Sequence, residues 1–269
     1  LLDGLLGAPE LAVAEVPLVA TADWAAAITR QETRGELPAE LTLPELCRRA
    51  ARQRPDAEAL RSVAGRLTFA ELDDAAGRLA SYLLARRPVG AGAGSRVIAL
   101  GLPRSADLVV SALAILKVGL AYLPLDPRLP RQRLETILAD AAPELVLFNS
   151  GGPEVIRAVV APDRCIDLDA VRDAVAATAP LPAPLAEPDD PAYLLYTSGS
   201  SGVPKGVINT HAGIVNRILW AQGTDPLHTT DRLLQKTPDS FDVSVWELFW
   251  PLVAGSVLVL ARPDGERDP

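Results

Sequence analysis

The 269-residue chain is 49% hydrophobic and carries a formal net charge of −8: enough apolar material for one large or two ordinary cores, and the wrong sign for a phosphate-backbone partner. No basic run offsets that sign, which argues against nucleic acid. The two cysteines, Cys47 and Cys165, lack the spacing of a zinc site or a redox pair and read as core residues in a reducing compartment.

The first forty residues read as a separate tail, "LLDGLLGAPE" followed by an Ala-, Val- and Pro-rich stretch. They carry no basic segment or cleavage site of a secretory signal, so a cytoplasmic location is expected. The absence of methionine, even at position 1, and an end at "PDGERDP" directly after an apolar strand lead us to expect a piece of a longer polypeptide.

From Thr42 the pattern becomes regular. Thr42 and Glu45 have capping-box spacing, with Leu43, Leu46, Cys47, Ala50 and Ala51 following at helical intervals. A strand pair within "EALRSVAGRLTF" turns at Gly65, and a second box, Thr68 with Glu71, opens a helix carrying Leu72, Ala75, Ala76, Leu79 and Leu83. The strand candidates "RVIAL", "AYLPL", "ELVLF" and "AYLLY" then alternate with helix candidates at 106–117, 131–140 and 154–160. Such alternation implies a mostly parallel sheet covered on both faces, hence a layered α/β fold. The apolar run beginning at Leu108 is broken by Lys117, Gly119 and Pro124 and does not read as a membrane span.

"APLPAPLAEPDDP" is an extended surface connection with five prolines. It leads into "AYLLYTSGSSGVPKGVINTH", read as strand, glycine-rich loop and strand, with a helix from 212 to 220. A last helix, "DVSVWELFWPLVAG", places Val243, Trp246, Phe249 and Trp250 on one broad face, and the strand "SVLVLA" follows.

"YTSGSSGVPKG", Tyr196–Gly206, carries three glycines, three serines and one lysine, a composition that suits either a plain surface loop or a phosphate cradle. The P-loop template fails twice: Pro204 stands where its second glycine belongs, and Gly206 where its magnesium-binding hydroxyl belongs. Because the loop runs into a strand, a helix-dipole anion site is not expected either.

The complete string resembles the phosphate-loop signature of the adenylate-forming superfamily, which includes amino-acid-activating adenylation domains, acyl-CoA synthetases and luciferases. Three further stretches agree in order with signatures of nonribosomal peptide synthetase adenylation domains: "LTFAEL" at 67–72, "LKVGLAYLPLDP" at 116–127 and "FDVSVWELF" at 241–249. The resemblance implies that residues 1–40 are a condensation-domain tail and linker. Residues 41–269 are then the first part of the large N-terminal subdomain of the adenylate-forming fold.

It implies activation of an amino acid by ATP, with Mg2+, followed by transfer to the phosphopantetheine thiol of a carrier protein. The implied partners are the condensation and peptidyl carrier domains of the same synthetase, and a small accessory protein. Thr197, Ser198, Gly199, Ser200, Ser201, Gly202 and Lys205 would hold the triphosphate, Lys205 also acting catalytically on the departing pyrophosphate. A lone lysine beside glycine is otherwise a solvated charge.

Asp242 matches the aspartate that pairs with the substrate α-ammonium; outside the family an Asp at this point is an N-cap. Val243 and Trp246 match side-chain-pocket positions, in a triplet that serine-activating members share with others, and otherwise read as helix core. Parts of the family's apparatus find no match in the chain, so the 269 residues alone are expected not to turn over. Two rivals remain: an acyl- or aryl-CoA ligase, which needs no α-amino group, and a non-catalytic scaffold segment.

Overall fold

The structure is a computed structural model, and it describes residues 10, 23–26, 41–87, 96–126, 128–150, 154–198, 204–262 and 265. The chain divides into two units, Leu1–Pro38 and Ala39–Pro269. In the first, residues 23–26 are helical; everything below concerns the second.

Helix α1 (Leu43–Gln53) buries Leu43, Leu46, Cys47, Ala50 and Ala51 as its spacing predicts. Its capping box does not form. Thr42 occupies the N-cap position with extended backbone but makes no side-chain cap bond, and the Glu45 carboxylate instead accepts from Arg48 (2.8 Å) and Arg49 (3.2 Å). Cations three and four residues ahead on the helix compete for the carboxylate that would otherwise reach back.

β1 (Glu58–Ser62) and β2 (Gly65–Thr68) pair antiparallel, with Gly65 at φ +147° in the turn, where a side chain would be strained. Here the second box is complete: Glu71 N–H donates to Thr68 Oγ1 (3.2 Å) and Thr68 N–H to Glu71 Oε2 (2.8 Å), opening α2 (Phe69–Arg86).

The alternating segment gives β3 (Val97–Gly101), α3 (Ala106–Lys117), β4 (Ala121–Pro124), α4 (Arg131–Ala141), β5 (Leu145–Phe148) and α5 (Glu154–Val159). β6 (Cys165–Asp167) and α6 (Leu168–Ala177) follow; they were not anticipated, because a three-residue strand carries too short a pattern to stand out. After the proline-rich connection come β7 (Pro191–Ser198), β8 (Pro204–Thr210), α7 (His211–Thr224), β9 (Arg232–Gln235), α8 (Asp242–Ala254) and β10 (Val257–Leu260). Among the described residues no helix is long and apolar enough to cross a membrane.

Two sheets result: one of six strands in the order β6-β5-β3-β4-β7-β8, parallel except for β8, and one of four in the order β2-β1-β10-β9. The period-two rule sorts β3: Ile98 and Leu100 join one core, Ala99 the other. The first core is continuous from Ile98 and Leu100 through Leu43, Leu79, Leu113 and Leu248 of the helices to Leu60 and Leu258 of the four-stranded sheet. On the opposite face Ala99, Val146 and Leu194 pack with Leu134 and Ile137 of α4. The fold is thus mixed α/β, with helices between and outside two sheets.

His211 ties two elements of the first core. It is fully buried, and its Nδ1 accepts from Leu43 N–H (3.4 Å), joining the start of α1 to the start of α7. Desolvation pushes its pKa down to about 4, the nearby Asp190 carboxylate opposing and Arg96 assisting. Between about pH 6.5 and 4 the unfolded chain therefore takes up a proton that the folded state refuses, so this contribution to stability is lost as the pH falls through that window. Thermal melts across that range should show a shallower acid slope in His211→Gln than in the parent; equal slopes would refute the assignment.

Candidate active site

The glycine-rich segment joins two paired strands. β7 and β8 form an antiparallel hairpin with Thr197 opposite Lys205, Ser198 opposite Pro204 and Tyr196 opposite Gly206. Thr197, Ser198 and Lys205, expected in the loop, therefore belong to the strands; alternate residues of β7 are apolar enough to extend pairing to the loop's edge. Gly199, Ser200, Ser201 and Gly202 lie outside the described residues.

Near the turn end of the hairpin one aromatic side chain ties it to α4. Tyr196 Oη donates to Asp140 Oδ2 of α4 (2.5 Å), and desolvation together with that carboxylate raises the tyrosine's pKa. Gly206 makes room for the ring: a Cβ there would lie 3.2 Å from Tyr196 Cζ and 3.0 Å from Leu194 Cδ1. Across the strands Thr197 Oγ1 reaches the Lys205 carbonyl at 3.5 Å, and the Lys205 side chain is exposed.

The second cluster gathers at the start of α8. Phe241, not Asp242, is the N-cap, so the aspartate occupies the first helical position, exposed, with Oδ1 accepting from Val243 N–H (2.9 Å). The capping role is thereby left to the backbone, and the carboxylate stands in the favourable field of the helix N-terminus.

Val243 is also exposed and Trp246 half-buried, its ring 5.7 Å from that of Trp250 at 62°. The expected single apolar face is thus split. Val245, Leu248, Phe249 and Leu252 are the core residues, centred on the side of the helix away from Val243, because α8 is apolar nearly all round and only packing selects its buried side.

The six-residue approach to Asp242, residues 236–241, is held by a buried carboxylate. Glu247, 7% exposed, accepts from Lys236 N–H (3.2 Å), Thr237 N–H (3.0 Å) and Thr237 Oγ1 (2.7 Å). Ser244 Oγ donates to Phe241 O (2.6 Å), and Gln235 Nε2 to Thr237 O (2.7 Å) and Asp239 Oδ1 (3.2 Å). Burial, with Asp126 and Glu247 nearby, raises the Asp239 pKa to about 6 against the pull of Arg104 and Arg128. Glu247 was missed as a site residue although its signal was present, since a charge set between Trp246 and Leu248 in an apolar helix requires partners.

These parts meet in a cavity of about 640 Å3. Thr197 and Asn209 of the hairpin, Asp126 after β4, Ile137 of α4, and Ser240 and Asp242 before and in α8 are among its walls. The structure therefore brings Thr197 and Asp242, 45 residues apart in the chain, to one space. Among the described residues Lys205, Val243 and Trp246 are not in its walls.

Known proteins share this fold. A family profile described as AMP-binding enzyme matches residues 47–269. Phosphinothricin tripeptide synthetase PhsB of Streptomyces viridochromogenes is 38% identical over 283 residues, which covers 100% of this chain and 23% of that protein. Enterobactin synthase component F of Shigella flexneri is 37% identical over 262 residues, covering 97% of this chain and 20% of that protein.

Among solved structures, the nonribosomal peptide synthetase FmoA3 matches with a TM-score of 0.78 at 30% identity, over 91% of this chain and 25% of that one. FmoA3 has also been solved with AMPPNP and with alpha-methyl-L-serine-AMP. The chain thus spans only 20–23% of the length of these two curated relatives. With the profile covering most of its length and the fold shared, the chain belongs to the family of AMP-binding enzymes.

Proposed function

We propose that residues 41–269 are the N-terminal portion of an adenylation domain of a nonribosomal peptide synthetase, and residues 1–40 the end of a condensation domain with its linker. The reaction joins an amino-acid carboxylate to ATP. A carboxylate oxygen attacks the α-phosphorus, the bond to the β-phosphate breaks and pyrophosphate leaves. The thiol of a carrier protein's phosphopantetheine then takes the acyl group and AMP departs. Both reactants are anions, so positioning and charge neutralisation are the main tasks.

The observation that carries this reading is that Thr197, at the foot of the glycine loop, and Asp242 wall the same cavity. Thr197, Ser198, Gly199, Ser200, Ser201, Gly202 and Lys205 hold the triphosphate, and Asp242 takes the substrate ammonium. Val243 and Trp246 border the substrate side chain, with serine the favoured residue. Magnesium comes in on the nucleotide. Among the described residues no group of three or more His, Cys, Asp or Glu side chains is placed to hold a metal, and none is assigned to it.

The test is amino-acid-dependent exchange of pyrophosphate into ATP by the full-length polypeptide that carries these residues. Asp242→Asn should raise KM for the amino acid by roughly tenfold or more, the loss of a hydrogen bond to a charged group, and leave KM for ATP nearly unchanged. The parent protein should ignore the acid lacking the α-amino group. Equal activation of that acid would move the chain to the acyl- or aryl-CoA ligases, and no exchange with any acid would favour a scaffold role.

A further inference from the structure

The same cavity contains a cation that none of the roles above uses. Arg133, in the first turn of α4, is one of its walls, one helical turn before Ile137. Its Nε is buried without a hydrogen-bond partner, and among the described residues its guanidinium has neither a hydrogen bond nor an ion pair. The two arginines beside it in sequence are matched: Arg128 grips Asp126 through Nε and Nη2, both at 3.0 Å, and Arg131 pairs with Glu135 at 2.8 Å. Arg133 as a whole is half-buried, but buried polar atoms are almost always satisfied, so an unpartnered Nε on a cavity wall is a donor left for a ligand. The cavity thus presents an arginine and the Asp242 carboxylate that no salt bridge joins, an arrangement suited to a ligand carrying both charges.

We propose that Arg133 is a further nucleotide-contacting residue, its guanidinium donating to phosphate oxygens of ATP; this rests on the adenylation reading. Two anions could meet it, the triphosphate and the amino-acid carboxylate, and the reaction separates them. The carboxylate loses its charge when it becomes the acyl phosphate, whereas phosphate oxygens stay charged in substrate and product, so only phosphate neutralises the arginine throughout. The planar fork of a guanidinium also matches phosphate geometry. Thr197, at the start of the glycine loop, is on the wall of the same space.

The experiment uses the full-length polypeptide with Arg133→Met, which keeps much of the stem packing, and Arg133→Lys, which keeps the charge. Pyrophosphate exchange gives KM for ATP and for the amino acid. Calorimetry with a non-hydrolysable ATP analogue gives Kd, and thermal melts without ligand report folding. Arg133→Met should raise both KM for ATP and the analogue's Kd roughly tenfold or more. KM for the amino acid should stay within about twofold, Arg133→Lys should restore part of the loss, and the melting temperature should not fall.

An unchanged KM for ATP overturns the proposal. So does a rise confined to the amino acid, which would assign the arginine to the carboxylate, or a loss that tracks a lowered melting temperature and that lysine does not relieve. If the parent shows no exchange with any amino acid, the adenylation reading fails. The analogue's Kd in parent and Arg133→Met then still decides the arginine: equal values reject it, and weaker binding in the variant supports it.

Discussion

Asp73→Ala should destabilise the Ala39–Pro269 unit by about 3 kcal/mol, the lower end of the cost of stranding a buried charge. The charge at risk is Lys117, the last residue of α3, only 1% exposed. Its Nζ donates to Asp73 Oδ1 at 2.6 Å and to the Asp73 carbonyl at 3.3 Å, both on α2. The partner carboxylate is 30% exposed, so water screens part of the interaction, which is why the lower end applies.

The pair also borders Cys47, whose thiol burial pushes up to about 12, with Asp73 adding and Lys117 subtracting. Urea unfolding gives the measurement. Lys117→Met, which removes the buried charge and keeps the aliphatic stem, should cost clearly less than Asp73→Ala, and the double variant less than the sum. An Asp73→Ala midpoint close to that of the parent would mean that the ammonium reaches water or another acceptor.

Lys205→Ala in the full-length polypeptide should slow pyrophosphate exchange by on the order of 100-fold, the scale of one electrostatic donor removed from a developing anion. Lys205 is the second residue of β8, opposite Thr197, and its side chain is exposed. Truncating it therefore forfeits no core packing, and the melting temperature should hold. That separates a chemical loss from a folding loss. Lys205→Arg should retain part of the rate, since the charge remains while its reach and shape change. An unchanged rate in Lys205→Ala would remove the lysine from the mechanism.

The local patterns were legible because they depend on near neighbours. Thr68 and Glu71 announced the start of α2, the apolar period bounded α3 at Ala106–Lys117, and alternation announced a largely parallel sheet. The glycine-rich string marked the hairpin between β7 and β8 and, with three other stretches, the family. The same local logic misled where side chains had competing partners. Glu45 fits a capping box by spacing yet binds Arg48 and Arg49, and Val243 fits an apolar face yet is exposed.

What packing alone could decide is which distant groups meet. Lys117 looked like a break in an apolar run; 44 residues separate it from the aspartate that makes its burial tolerable. Nothing near Arg133 in the chain distinguishes it from Arg128 or Arg131, and only the crossing of α4 behind the hairpin turns it into the cavity wall that Thr197 and Asp242 share. Helix periods and caps are written within a few residues, whereas a site assembled from strand ends and helix starts depends on sheet order and register, which are set by the joint burial of many side chains.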